Sequence, residues 1–62
     1  MTLKQLRRID AINTFSVLCP IVKPINYARF AILSELERES CLKEAESLMF
    51  KIQAEKEKIS LN

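Results

Sequence analysis

The segment CPIVKPIN, residues 19–26, decides how this 62-residue chain can fold, because it contains both of the chain's prolines. The rest of the sequence has no proline, and glycine is absent altogether. A proline disfavours helical geometry in the residue before it, so a helix that begins near the N-terminus is expected to end at about Leu18. Asn26 is a good N-cap, from which a second helix can begin. The segment 19–25 is therefore predicted to be a stiff elbow between two antiparallel helices.

The N-terminal helix carries its own start signal. Thr2 and Gln5 have the spacing of a capping box, in which the Thr hydroxyl accepts from the Gln amide and the Gln side chain reaches back. Met1 and Leu6 have the spacing of a hydrophobic staple. Together these signals predict helix 1 over residues 2–18.

The second half of the chain lacks any strong helix breaker and is rich in good helix formers. This composition predicts one long helix, helix 2, over residues 26–58, followed by a tail at 59–62. The alternative is a break at Glu39–Ser40, where the serine could cap a third helix. In either case residues 1–62 form a single all-α domain, expected to be a helical hairpin.

Helix 1, LKQLRRIDAINTFSVL, has an unusual hydrophobic pattern, because every third residue is apolar. A step of three residues turns by about 300°, so each apolar side chain falls back about 60° around the helix. The apolar stripe then winds almost completely around helix 1, and one flanking helix can cover only part of it. We therefore expect neighbours on several sides to contact the stripe residues, which are Leu3, Leu6, Ile9, Ile12, Phe15 and Leu18.

Helix 2 contains a heptad pattern, in which steps of four and three residues alternate. Three polar positions, Ser34, Arg38 and Glu55, interrupt it, so an ordinary core-facing stripe and a true coiled-coil seam both remain open. The full pattern consists of Tyr27, Ala31, Ser34, Arg38, Cys41, Ala45, Leu48, Ile52, Glu55 and Ile59.

The two predicted helices differ in length, about 25 Å against about 48 Å. Folded back from the elbow, helix 1 covers helix 2 only to about Lys43. Each large apolar side chain left in water beyond that point forfeits about 1.5–3 kcal/mol. We therefore expect a two-fold homodimer that completes a helix bundle. Its interface is predicted to include Ala45, Leu48, Met49, Ile52 and Ile59.

A second apolar set lies on the side of helix 2 away from the heptad positions. Such a patch normally marks an interface with another chain. We expect it to be a dimer contact or a docking surface for another protein. Its members are Ile32, Leu33, Leu36 and Phe50.

The residue types argue against most catalytic and metal chemistry. Histidine is absent, and the two cysteines are far apart in the sequence, so neither a zinc site nor a CxxC motif is expected. Without glycine there is no phosphate-cradling loop. Ser40 and Cys41 neighbour Lys43 and Glu44 only as residues of a helical surface. We expect a non-enzymatic protein with no catalytic residues, no bound metal and no cofactor.

Charge is unevenly distributed, with a net +4 over residues 1–30 and −2 over residues 31–62. The basic cluster Lys4, Arg7 and Arg8 could contact phosphates, so a small basic nucleic-acid-binding regulator that uses helix 1 is the alternative function. No recognition-helix pattern or stacking aromatic residue supports the reading of bases.

The acidic residues of helix 2 are expected to form a solvated face. Glu35 can pair with Arg38 and Glu39 with Lys43 along the same helix. Such pairs favour solubility more than stability, and they do not indicate a metal site.

Sequence features that would direct the chain to a membrane or out of the cell are missing. The longest apolar stretch, residues 15–33, is interrupted by prolines and charges and falls short of the ~20 uninterrupted apolar residues of a membrane span. No apolar signal core follows the N-terminus. Unpaired cysteines fit a reducing compartment. We expect a cytoplasmic protein without membrane contact.

Two segments, MTLKQLRRIDAINTFSVL at 1–18 and YARFAILSELERESCLKEAESLMFKI at 27–52, carry a resemblance to a known group. They resemble small, poorly characterised helical proteins encoded near the excision genes of lambdoid phages. The resemblance implies an early accessory protein that acts by protein contacts in the switch between lysogenic and lytic growth, in the host cytoplasm. It supplies no site residues. The predicted function is a homodimeric interaction module, with a host or phage protein as a further partner.

Overall fold

A computed structural model of the chain describes the backbone of residues 1–60 and the side chains of residues 1–58. It contains three helices: α1 (Leu3–Leu18), α2 (Tyr27–Ala31) and α3 (Glu35–Ser60). Within this part of the chain there is no β-strand, which confirms the all-α prediction. None of these helices is long and apolar enough to cross a bilayer.

Helix α1 begins and ends where its local signals predict. The Thr2 hydroxyl accepts a hydrogen bond from the Gln5 N–H at 3.1 Å, and Gln5 Oε1 accepts from the Thr2 N–H at 3.2 Å. At the other end, Cys19 leaves helical geometry with φ −135° and ψ 89°. Its N–H donates to the Phe15 carbonyl at 3.0 Å. The capping box and the helix end ahead of the first proline are both confirmed.

The prediction of one continuous helix over 26–58 is wrong. α2 does start after the predicted N-cap Asn26, whose side chain accepts from a backbone N–H in the first turn, but it is only five residues long. The chain then turns at 32–34 before α3 begins. The alternative position for the break, Glu39–Ser40, is also wrong, since both residues lie inside α3. Of the expected tail, positions 61 and 62 lie outside the described residues.

A second capping box explains the position of this break. The Ser34 hydroxyl accepts from the Glu37 N–H, and Glu37 Oε1 accepts from the Ser34 N–H, both at 3.2 Å. Arg38 Nε donates to the Leu33 carbonyl at 3.0 Å, which satisfies a carbonyl in the turn that follows α2. The turn between α2 and α3 is therefore stabilised by local hydrogen bonds rather than by a helix-breaking residue.

Helices α1 and α3 run in the same direction, because their contacts advance together along both helices. Arg8 binds Glu39 and Glu46 of α3. Phe15, further along α1, has its ring centroid 5.9 Å from Nζ of Lys56, further along α3. In the expected antiparallel hairpin, the order of these contacts would be reversed. The two long helices are parallel, which corrects that expectation.

The connector between α1 and α2, residues 19–26, reverses the direction of the chain. This reversal allows α3 to run parallel to α1. Asn13 Nδ2 donates to the Ile25 carbonyl at 3.0 Å, and Asn13 Oδ1 accepts from the Ile25 N–H at 2.7 Å. Beyond this point the Tyr27 hydroxyl donates to the carboxylate of Asp10. Since Asp10 precedes Asn13 whereas Tyr27 follows Ile25, the connector runs back along α1. Helix α3 then begins beside the N-terminal end of α1 and runs forward again.

A small core draws side chains from every segment of the chain. Each fully buried aliphatic side chain contributes about 1.5–3 kcal/mol. The fully buried residues are Ile9 and Ile12 of α1, Val22 of the connector, Phe30 of α2 and Leu42 of α3.

Helix α1 covers more of α3 than the length difference predicts. Met49 and Ile52 were expected beyond its reach, yet both pack against the core. The reason is the parallel direction, since α3 starts beside the N-terminal end of α1 and the two helices share most of the length of α1. Ala45 and Leu48 also touch the core and are half-buried, as Met49 and Ile52 are.

The buried position of Ile12 gives a test of the core. Replacing Ile12 by Val removes one methylene from a fully buried side chain and should lower the free energy of unfolding by about 1 kcal/mol. Val17→Ala removes two methyls from a side chain that is 79% exposed. This variant should change the free energy of unfolding by less than about 0.5 kcal/mol. Urea denaturation followed by circular dichroism measures both. Equal losses for the two variants would contradict the assigned burial.

Candidate interaction surface

Large apolar side chains are more often exposed than buried among the described residues. A compact monomer of 7.2 kDa exposes about 4,100 Å², whereas this chain exposes 4960 Å². The chain is therefore less compact than an average monomer of its mass. The exposed large apolar residues are Met1, Leu3, Val17, Leu18, Ile21, Tyr27, Ile32, Leu36 and Phe50.

The structure divides the predicted interface residues of α1 according to the side of the helix on which they lie. Ile9 and Ile12 belong to the core of the chain itself and are not on the surface. Leu3 and Leu18, at the two ends of the stripe, are 63% and 83% exposed. The chain therefore covers only the middle of the stripe, which leaves its ends for neighbours. The half-buried members are Leu6 and Phe15.

The second predicted apolar set also separates into parts. Ile32 and Leu36 flank the turn between α2 and α3 and are 83% and 85% exposed. Leu33 between them packs against the core instead. Phe50 is 67% exposed and lies farther along α3. The side chain of Ile59, another predicted interface residue, lies outside the described side chains.

An open groove of about 550 Å³ lies between the connector and α3. Residues 21–26 of the connector, together with α2, form one wall, and α3 forms the other. Val22 and Phe30 contribute apolar surface from the core. Charged groups stand at the sides, with Arg29 on the α2 wall and Glu44 on the α3 wall. The groove has the character of a binding site for an apolar surface with charged edges.

Three of the heptad positions on α3 face this groove. Cys41, Ala45 and Leu48 line it, whereas Leu42 is buried in the core and Glu46 binds Arg8 of α1. Cys41, Ala45 and Leu48 also pack against the core, so the fold covers them in part and leaves the rest of each side chain to the groove. Because a coiled-coil seam is completed by a helix opposite it, this geometry is suited to receive a further helix.

The predicted basic cluster is divided by an ion-pair network inside the chain. Arg8 Nη1 lies 2.8 Å from Glu39 Oε2, and Nη2 lies 2.5 Å from Glu46 Oε1. Arg8 Nε also donates to Glu46, at 3.1 Å. Lys4 and Arg7 remain exposed. A phosphate could reach the Arg8 guanidinium only by displacing two carboxylates.

This network corrects the view of the acidic residues as a purely solvated face. Glu39 was expected to pair with Lys43, but its carboxylate binds Arg8 instead. The hydrogen bond from Arg8 lowers the pKa of Glu39 below its usual range. Hydrogen bonds to Glu46 and Glu39 raise the pKa of Arg8. Sequence reasoning missed the network because its members lie 31 and 38 positions apart, and no local spacing indicates it.

Two further pKa shifts arise from structural contacts. The hydrogen bond that Tyr27 donates to Asp10 raises the pKa of the phenol, and hydrogen bonds from Ser34 lower the pKa of Glu37. Both contacts hold a turn or the start of a helix. In the part of the chain with described side chains, no three potential metal ligands come together.

No family model, curated protein or solved structure matches the chain.

Acid should destabilise the fold partly through Glu39, and Arg8→Met should remove that part. Arg8 lowers the folded-state pKa of Glu39. The ionised carboxylate therefore makes its full contribution to the free energy of unfolding above the unfolded-state pKa of about 4.3. It is lost as the pH falls through the lower folded-state pKa, because the unfolded chain then binds more protons. We expect the urea midpoint of the wild type to fall between about pH 6 and pH 3, and to fall less in Arg8→Met.

Arg7→Met is the matched control, since it removes the same charge from an exposed position of the same helix. It should keep the pH dependence of the wild type. If Arg8→Met and Arg7→Met showed the same dependence, the ion-pair network would not contribute to acid stability.

Proposed function

We propose that this chain is a non-enzymatic helical interaction module that works as a homodimer. The observation that supports it is the apolar surface left open by the fold, which includes the ends of the α1 stripe, the patch at the α2–α3 turn and the groove. Exposed apolar surface of this extent is typical of a protein that associates with another chain. A second copy of the same chain is the simplest partner that can cover it.

The biological setting of the module is a separate part of the proposal. The resemblance carried by residues 1–18 and 27–52 supports an early phage accessory protein that affects the lysogenic–lytic switch from the host cytoplasm. In that setting, apolar patches outside the dimer contact would bind a host or phage protein. Ile32 and Leu36, both strongly exposed, are the residues best placed for such a contact.

A nucleic-acid-binding regulator is the second candidate function. Exposed Lys4 and Arg7 and the net charge of +4 over residues 1–30 favour it. The engagement of Arg8 by two carboxylates weighs against it, because the cluster then offers only two of its three cations. Protein contact is the better-supported function.

Self-association gives the direct test of the proposed function. Sedimentation equilibrium from about 1 to 300 µM should show a transition to twice the mass of 7.2 kDa, with a dissociation constant on the order of micromolar. Circular dichroism at each concentration checks that the chain stays folded. A well-folded species of 7.2 kDa at every concentration would contradict the homodimer.

Binding to generic duplex DNA separates the two candidate functions. The proposed module should show no binding tighter than about 10⁻⁴ M at about 150 mM salt by fluorescence anisotropy. Any weak binding at about 50 mM salt should follow charge alone and decrease equally in Lys4→Ala and Lys23→Ala. Tight binding at the higher salt that Lys4→Ala or Arg7→Ala abolishes, while Lys23→Ala does not, would support the regulator instead.

A further inference from the structure

We propose that the groove is filled by α3 of a second copy of this chain, with the two α3 helices packed antiparallel along the segment 41–52. This rests on the proposed function, since it names the surface through which the proposed homodimer forms. The residues of each copy at the contact are Cys41, Ala45, Leu48 and Ile52.

These four residues form an open coiled-coil seam. They follow one another at steps of four, three and four residues, which is the heptad spacing of inward-facing positions. All four are half-buried in the single chain, and Cys41, Ala45 and Leu48 line the groove. The small side chains of Cys41 and Ala45 allow a second helix to approach closely. All four also touch the core of their own chain, so a partner helix contacts the part of each side chain that the fold leaves accessible.

Helix α1 does not complete this seam, although its Ile9 and Ile12 belong to the core on which all four seam residues pack. It packs on a neighbouring face of α3, where Leu42 is fully buried and Glu46 binds Arg8. The connector forms only the far wall of the groove. A helix that covers the rest of the seam therefore has to come from another chain.

Charge decides the direction of the partner helix. Glu44 and Lys51 stand on the same edge of the seam, seven positions apart, and both are exposed. Neither takes part in an ion pair among the described side chains. In an antiparallel pair that sets Ala45 against Leu48 of the partner, Glu44 faces Lys51 of the partner, and two-fold symmetry makes this contact twice.

A parallel pair has no such complementarity. The edge positions that meet in a parallel coiled coil are five residues apart, so Lys51 would face Lys56 of the partner. Like charges at this separation repel. The same arrangement would set Glu44 against Met49 of the partner, with no opposite charge. The antiparallel direction is therefore favoured.

The outer face of α3 is a weaker candidate for the same contact. Leu36 and Phe50 are both exposed there, but they lie 14 positions apart, and exposed Ser40, Lys43 and Ser47 separate them. They form two isolated patches, whereas the groove side is continuous over three helical turns.

Reversing the charges of Glu44 and Lys51 tests the register in which the two α3 helices pack. Glu44→Lys and Lys51→Glu each place like charges in contact twice per dimer, so each should weaken dimerisation about tenfold at low salt. The double variant restores opposite charges and should return within about threefold of the wild type. Sedimentation equilibrium measures all three, and exposed positions keep the fold intact.

Matched controls separate this effect from net charge. Lys43→Glu and Glu57→Lys make the same charge changes at other exposed positions of α3. Both should dimerise as the wild type does. A loss in these controls equal to that in the edge variants would overturn the assigned register.

Disulfide formation tests the position and the direction together. In a Cys19→Ala background, Ile52→Cys places a new thiol opposite Cys41 of the partner, and mild oxidation should link the copies. Within one chain the two thiols lie about 16 Å apart along a helix, so they cannot join. Phe50→Cys on the outer face is the control and should not link to Cys41.

The outcomes distinguish this inference from the proposed function. Rescue by the double charge variant together with the Ile52→Cys link supports the antiparallel seam. If the edge variants dimerise as the wild type does, or if Phe50→Cys forms the disulfide, the proposed seam is wrong but the homodimer is still supported. Rapid linkage through Cys41 alone indicates a parallel pair and overturns the direction. A folded monomer at every concentration overturns both.

Discussion

Two hydrogen bonds between Asn13 and Ile25 fix the path on which the rest of the structure depends. Asn13 satisfies both the N–H and the carbonyl of Ile25, so the connector lies against α1 and runs backwards along it. Helix α3 consequently starts beside the N-terminal end of α1. Only from that position can Arg8 reach Glu39 and Glu46, one turn on either side of its own level along α3.

The same path divides the surface of α3 unequally. On the side that α1 covers, Leu42 is buried in the core and Glu46 forms an ion pair with Arg8. The neighbouring side carries Cys41, Ala45 and Leu48, which are half-buried against the core and line the groove. A chain of 62 residues has too few residues to cover both sides of α3 completely. A surface with coiled-coil spacing is thus left for a second chain, which is the physical basis of the proposed function.

Sequence reasoning succeeded where structure is decided locally. Thr2 and Asn26 could be identified as caps because each acts on an amide three residues away. The cap at Ser34 was missed, although it stands three residues before a glutamate, because good helix formers surround it. The direction of α3 depends on Asn13 meeting a backbone group 12 residues away, and no residue type or spacing indicates that contact. It was expected that one neighbouring helix could cover only part of the α1 stripe, but the burial of its middle, including Ile9, in the core depends on the same long-range path.

In the proposed dimer, the seam of α3 is completed by the same seam of a second copy. A sample that mixes isotope-labelled and unlabelled chains allows NMR to record contacts between copies separately from contacts within one. The account predicts nuclear Overhauser effects between the Ala45 methyl of one copy and the Leu48 methyls of the other. Contacts between copies confined to Leu36 and Phe50 on the outer face would contradict it.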